Sequence, residues 1–150
     1  MAAEYLTTIN QIDRLAILSA EGAVTVAGLY EAQDKLRLQP EWRADLDLLV
    51  VFQAGTSLER IDFGEISRYA DMFRQWNRRF RTGPHPMTAV VTDAGIFNAA
   101  CMIWAALRRD NWLVDVAFHS SKESAMHWIN SSRKLDVRKK AVLSGGAPVA

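Results

Sequence analysis

Three side chains of this sequence have the types that a nucleophilic hydrolase needs. Ser57 follows one apolar stretch, while Asp93 and His119 each follow another. If these stretches are parallel strands of one sheet, their carboxyl ends form a single rim, where ligands bind in folds of this kind. On that rim Ser57 would attack, His119 would accept its proton and Asp93 would orient the imidazole ring.

Helix capping is the simpler explanation of the same polar residues. Asp62, Asp93 and Ser120 each stand before a helical pattern, where an oxygen that accepts from free amides contributes about 1 kcal/mol. Ser57 has no Gly-x-Ser-x-Gly elbow around it. We therefore predict no catalytic residue and keep the strand-end rim as a candidate ligand-binding site. Its members are Thr56, Ser57, Asp62, Asp93, His119 and Ser120.

The sequence predicts neither a metal site nor a cofactor. His85, His119 and His127 are scattered, without the i, i+4 spacing or the carboxylate of a metal site. No Walker or dinucleotide-binding glycine pattern occurs. The single cysteine, Cys101, cannot form an internal disulfide and is expected to be a buried small hydrophobe. A formal net charge of +1 provides no overall field that would attract nucleic acid.

Five short stretches with strand composition must carry the rim. Leu46 to Phe52 is apolar without alternation, which is typical of a strand covered on both faces. The polar run from Asn10 to Arg14 is short enough to connect the first two strands as a hairpin. The predicted strands are Tyr5–Gln11, Leu15–Glu21, Leu46–Phe52, Met87–Thr92 and Trp112–Phe118.

Four helical patterns accompany the strands. Thr25 is expected to cap the first, which ends near Pro40, and Asp62 with Glu65 begins the second. The other two are predicted over Gly95–Arg109 and Ser121–Ile129. Basic residues on the second helix and its exit are expected to form a solvated face. They are Arg68, Arg74, Arg78, Arg79 and Arg81.

The element order β-β-α-β-α-β-α-β-α predicts an α/β fold, with helices packed on a mainly parallel sheet of four to five strands. The 150 residues fit one domain, assigned to 1–130, and 131–150 is expected to be a basic, partly flexible tail. The start lacks the pattern of a signal peptide, and no apolar run approaches the ~20 residues that span a bilayer. A cytoplasmic protein of bacterial type, without stable membrane insertion, is therefore expected.

The helix predicted over Gly95–Arg109 is apolar on nearly every face, so both of its sides need cover. A homodimer interface and a well-filled core explain this equally well, and a pocket for a lipid or another apolar ligand comes third. The interface would use Ala99, Met102, Ile103 and Ala106.

One stretch also carries a family resemblance. Leu46 to Ile66 holds an apolar strand, a small-residue loop and an acidic helix start. Together with Glu21-Gly22 and with Phe118 to Ile129, it resembles the STAS domain, the fold of the SpoIIAA anti-anti-sigma factors, over about Tyr5 to Ile129. The resemblance implies a small sheet covered by helices and a frequent tendency to pair.

The resemblance does not extend to the family's phosphorylation switch. Phospho-regulated members begin the helix after the central strand with Asp-Ser-Ser-Gly, whereas this chain has Asp62-Phe63-Gly64-Glu65. The expected function is therefore a non-enzymatic STAS-like regulatory or protein-interaction domain, a homodimer that also contacts a protein partner. The alternative is a carrier of a lipid or small apolar ligand, since Sec14-type lipid-binding domains have a related architecture. A small hydrolase that uses the rim ranks third.

Overall fold

The computed structural model describes residues 2–59, 61–82, 86–92 and 115–143. The strands in these ranges are β1 (Glu4–Asn10), β2 (Leu15–Glu21), β3 (Asp47–Phe52), β4 (Met87–Val91) and β5 (Asp115–His119). The helices are α1 (Val26–Leu36), α2 (Phe63–Phe80) and α3 (Lys122–Leu143). None of these helices is both long and apolar enough to cross a membrane.

The five strands form one sheet in the order β1-β2-β3-β4-β5, which confirms the α/β class. The prediction of a mainly parallel sheet is wrong, because the sheet is mixed. β1 and β2 are antiparallel, and the other neighbouring strands are parallel. The cause is local: the turn over residues 11–14 reverses the chain directly, whereas a parallel pair needs a crossover of about a dozen residues.

Two apolar layers lie on opposite faces of the sheet. Alternate residues of β2 and β3, such as Leu18 and Leu48, pack against α1 and α2. The intervening residues, such as Leu49, pack with Ala125 and Ile129 of α3. The continuous apolar run of β3 is therefore covered on both faces, as its lack of alternation predicts.

Local hydrogen bonds set the helix ends. Thr25 accepts from the amide of Gly28 at 3.1 Å, and Asp62 accepts from the amide of Glu65 at 2.8 Å, so both predicted caps are confirmed.

The cap predicted at Ser120 is wrong by one position. Ser121 accepts from the amide of Ser124 at 3.1 Å, and α3 begins at Lys122. The helix also continues past its predicted end at Ile129 as far as Leu143, because no glycine or proline interrupts this polar stretch.

Several predictions fall outside the described residues. They concern Asp93, His85, the helix over Gly95–Arg109 and the interface residues Ala99, Met102, Ile103 and Ala106. The flexible character of the tail also stays a prediction.

Candidate functional site

Thr56 fixes the loop that follows β3. Its side chain is buried, and its hydroxyl lies 2.6 Å from the carbonyl oxygen of Gln53 and 3.1 Å from that of Ala20. The hydroxyl thus joins the end of β3 to the end of β2. It is a structural group and is not presented to solvent as a ligand contact.

Ser57 binds the same loop to the segment after β2. Its amide donates to the carbonyl of Gly22 at 2.8 Å, and its carbonyl accepts from Val24 at 3.0 Å. Its hydroxyl accepts from the amide of Glu59 at 3.3 Å. Gly22 is needed here, because its φ of +85° suits glycine and a Cβ would lie 2.6 Å from the carbonyl oxygen of Ala2.

His119 ends β5 and contacts the start of α3. Its Nδ1 lies 2.9 Å from the hydroxyl of Ser124, and its ring lies against Trp128 with centroids 5.5 Å apart. Its Nε2 is buried and has no hydrogen-bond partner among the described residues. Burial lowers the pKa of His119, which favours the neutral ring at pH 7.

Ser57 and His119 are not brought together. Ser57 follows β3 and is bridged to Ala23 just after β2, whereas His119 ends β5, two strand positions from β3. At roughly 4.8 Å per strand spacing, that separation is about 10 Å across the sheet, beyond hydrogen-bond distance. Asp62 is occupied as a helix cap, and Ser120 is exposed without capping. The catalytic arrangement considered from the sequence does not form with this serine and histidine.

A buried polar cluster at the opposite, amino ends of the strands was missed by sequence reasoning. We call it the amino-end cluster; it consists of Asp47, Arg81, Thr88 and Arg133. Arg81 is 3% exposed, although it was expected on a solvated face. Its guanidinium donates to the Thr88 hydroxyl at 2.6 Å and to the Met87 carbonyl at 2.8 Å. Burial lowers the pKa of Arg81 to about 10, while the charge of Asp47 acts in the opposite direction, so Arg81 is charged at pH 7.

Asp47 links this cluster to the last helix. Its carboxylate accepts from the amide of Met87 at 2.9 Å and forms an ion pair with Arg133. Arg133 also donates to the carbonyls of Asp13 and Arg14 in the first hairpin turn. One signal could have indicated the cluster: Asp47 opens an otherwise apolar strand, and a buried carboxylate requires a partner.

Polar contacts also join α1 to α2. The Tyr69 hydroxyl donates to the side-chain oxygen of Gln33 at 2.7 Å, and burial raises the pKa of Tyr69. The indole of Trp76 donates to Asp34 at 3.2 Å. Hydrogen bonding from Arg37 is the main reason that the pKa of Asp34 lies below its ordinary value. These groups hold the two helices together, and Tyr69 and Gln33 are buried while Asp34 and Arg37 are partly exposed.

The outer edge of β1 is the remaining candidate for a binding surface, because most of the polar groups described above have partners within the fold. In the described part of the chain β1 pairs with β2 alone, and its residues alternate between exposed and half-buried. Leu6 is 67% exposed in the middle of this edge. A shallow groove of about 170 Å³ runs beside it, against α1. The groove is lined by Tyr5, Thr7, Gly28, Glu31, Ala32 and Lys35.

Comparisons of the chain with protein-family models, with curated proteins and with solved structures found no match. The described residues also contain no cluster of three or more histidine, cysteine or acidic side chains that could hold a metal ion.

Proposed function

We propose that this protein is a non-enzymatic, cytoplasmic STAS-like domain that acts by binding protein, and that its binding site is the outer edge of β1. The single observation that carries the proposal is an edge strand of seven residues that has no strand partner on its outer side in the described chain and whose Leu6 is exposed. Such an edge offers a row of free amides and carbonyls to an extended segment of another chain.

The strand-end rim supports the non-enzymatic part of the proposal. Thr56, Ser57 and Asp62 each use their side-chain oxygen to hold a loop or a helix end. His119 contacts Ser124 and lies two strand positions from the loop that holds Ser57. These groups contribute to the stability of the fold, so the rim has a structural reason to be polar.

Site-specific photocrosslinking in the native cell tests the binding site. A benzoylphenylalanine at Leu6 should form crosslinks to protein, whereas the same group at Gln75, an exposed residue of α2, should form few. Mass spectrometry of the adducts identifies the crosslinked chain. Equal or absent crosslinking at the two positions would refute the β1 edge as the binding site.

A screen of ester and phosphate substrates tests the non-enzymatic part. Wild type, Ser57→Ala and Ser124→Ala should be equally inactive. Turnover that disappears in Ser124→Ala would refute the proposal, because Ser124 is the hydroxyl in contact with His119. The groove beside β1, at about 170 Å³, is smaller than the roughly 300 Å³ of a small-molecule pocket, so it does not support the carrier alternative. That alternative stays a prediction. Native mass spectrometry of the freshly purified protein would show bound lipid as added mass.

A further inference from the structure

We propose that the partner of β1 is β1 of a second copy of this chain, antiparallel across a two-fold axis at Thr7, so that the two sheets join into one. This inference rests on the proposed function and names its partner. It concerns the edge strand and does not involve the interface predicted for the helix over Gly95–Arg109.

The residues of β1 itself carry none of the interruptions that protect many edge strands. Soluble proteins interrupt such edges with proline, lysine or a bulge. The stretch Glu4–Asn10 contains none of these residues, and its register with β2 is unbroken over all seven positions. Two exposed large hydrophobic residues of the described chain belong to β1 or to the turn that follows it. They are Leu6 at 67% and Ile12 at 93% in the hairpin turn.

The hydrogen bond of Gln39 shows which backbone groups point outward. Its side-chain amide donates to the carbonyl oxygen of Thr7 at 3.4 Å and to the Thr7 hydroxyl at 3.1 Å. The Thr7 carbonyl therefore faces away from β2. Because orientation alternates along an antiparallel strand, Tyr5 and Ile9 also present their backbone groups outward.

The self-complementarity of β1 selects a second copy as the occupant. Two β1 strands can pair only if outward residues meet outward residues, and the register with Thr7 opposite Thr7 uses all seven positions. It places Glu4 opposite Asn10 of the partner subunit and Leu6 opposite Thr8 of the partner subunit. No like charges face each other, which removes the repulsion that would oppose such a pair.

Gln39 restrains this pairing. Its bond to the Thr7 carbonyl is long and hence weak, but it occupies an acceptor that the second copy would need. Pairing replaces this side-chain contact with a regular ladder of backbone bonds. Gln39→Ala should therefore lower the dissociation constant of the dimer several-fold.

Light scattering over a concentration series measures the pairing. Wild type should reach twice the chain mass of 16.8 kDa. Thr7→Pro should be monomeric, because it removes an outward amide while the bonds of β1 to β2 are kept. Thr7→Val is the matched control and should remain a dimer. A monomeric wild type, or a Thr7→Pro dimer as tight as wild type, would overturn the proposal.

Disulfide trapping tests the register and does not depend on the proline variant. In a Cys101→Ser background, Leu6→Cys with Thr8→Cys should form a covalent dimer on mild oxidation. The two positions would face each other across the axis with Cα atoms about 4.5 Å apart, within disulfide range. Leu6→Cys alone should crosslink poorly. Crosslinking by the single variant and not by the double would refute the register.

The photocrosslink at Leu6 separates the two proposals. An adduct with the same chain supports self-pairing. An adduct only with another protein overturns self-pairing and leaves the proposed binding site standing. If no adduct forms and the protein is monomeric, both proposals fail.

Discussion

Replacing Asp47 with alanine tests whether the amino-end cluster holds the starts of β3 and β4 to the last helix. Asp47 is 6% exposed and begins β3. Its carboxylate accepts the amide of Met87 at 2.9 Å and pairs with Arg133. It also supports the charge of the buried Arg81. Alanine would leave an amide without its acceptor and two guanidinium groups without their counter-charge.

The expected cost follows from these contacts. A buried amide without an acceptor costs about 1–3 kcal/mol, and breaking a buried ion pair costs about 3–5 kcal/mol in all. Arg133 keeps 30% of its side chain exposed, so water solvates part of its charge. The total for Asp47→Ala is therefore about 3–4 kcal/mol. Asp47→Asn keeps an oxygen for the Met87 amide and should cost about 1–2 kcal/mol less.

Urea denaturation followed by circular dichroism measures both variants. At a slope near 2 kcal/mol per molar urea, Asp47→Ala should lower the midpoint by about 2 M. Asp45→Ala is the matched control, since Asp45 forms an ion pair with Arg14 in which both side chains are about half exposed. That pair should contribute less than about 1 kcal/mol. If Asp47→Ala costs no more than Asp45→Ala, the proposed role of the cluster is wrong.

Three further predictions concern backbone strain and protonation. Gly22→Ala should destabilise the fold more than Gly55→Ala, because both residues have φ +85° but only at Gly22 does a Cβ meet a backbone oxygen, at 2.6 Å; equal losses in thermal denaturation would contradict this. Arg37 lowers the pKa of Asp34, so the ionised carboxylate stabilises the fold fully at pH values above its ordinary pKa of 3.8. This stabilisation is lost as the pH falls through the lower pKa of the folded state. Asp34→Asn should thus be less stable than wild type at pH 7 and nearly equal to it well below pH 3.8, whereas a pH-independent difference would refute the ion pair as the cause. For His119, NMR titration should give a midpoint below 6.5, and the fold should lose stability as pH falls below 6.5 because the unfolded chain binds the proton first; a midpoint at or above 6.5 would contradict the burial argument.

Much of the secondary structure could be predicted because it depends on near neighbours in sequence. The predicted strand Leu15–Glu21 matches β2 at both ends, and the caps at Thr25 and Asp62 accept from amides only three residues away. The end of α3 was predicted less well. The apolar pattern stops at Ile129, but a helix can continue until a glycine or proline interrupts it. Neither residue occurs before Leu143.

The candidate site could be predicted only in part. Asp62 caps a helix as expected, whereas the cap expected at Ser120 is one residue off and Asp93 lies outside the described residues. Ser57 turned toward Gly22, because the loop after β3 pairs with the segment after β2. The position of β1 at the end of the strand order could not be predicted at all, since it depends on which strands lie side by side in the finished sheet.

The sequence by itself determined the class of fold, most strand positions and two of the helix caps, because periodicity and capping act over a few residues. Only the tertiary structure decided which polar groups are buried and stabilise the fold. Arg81 was expected in solvent and lies buried, and Arg133 meets Asp47 across 86 positions of sequence. The physical reason is that a charged group is stabilised inside a protein only by polar partners, and which partners reach it is decided when folding packs separate elements together.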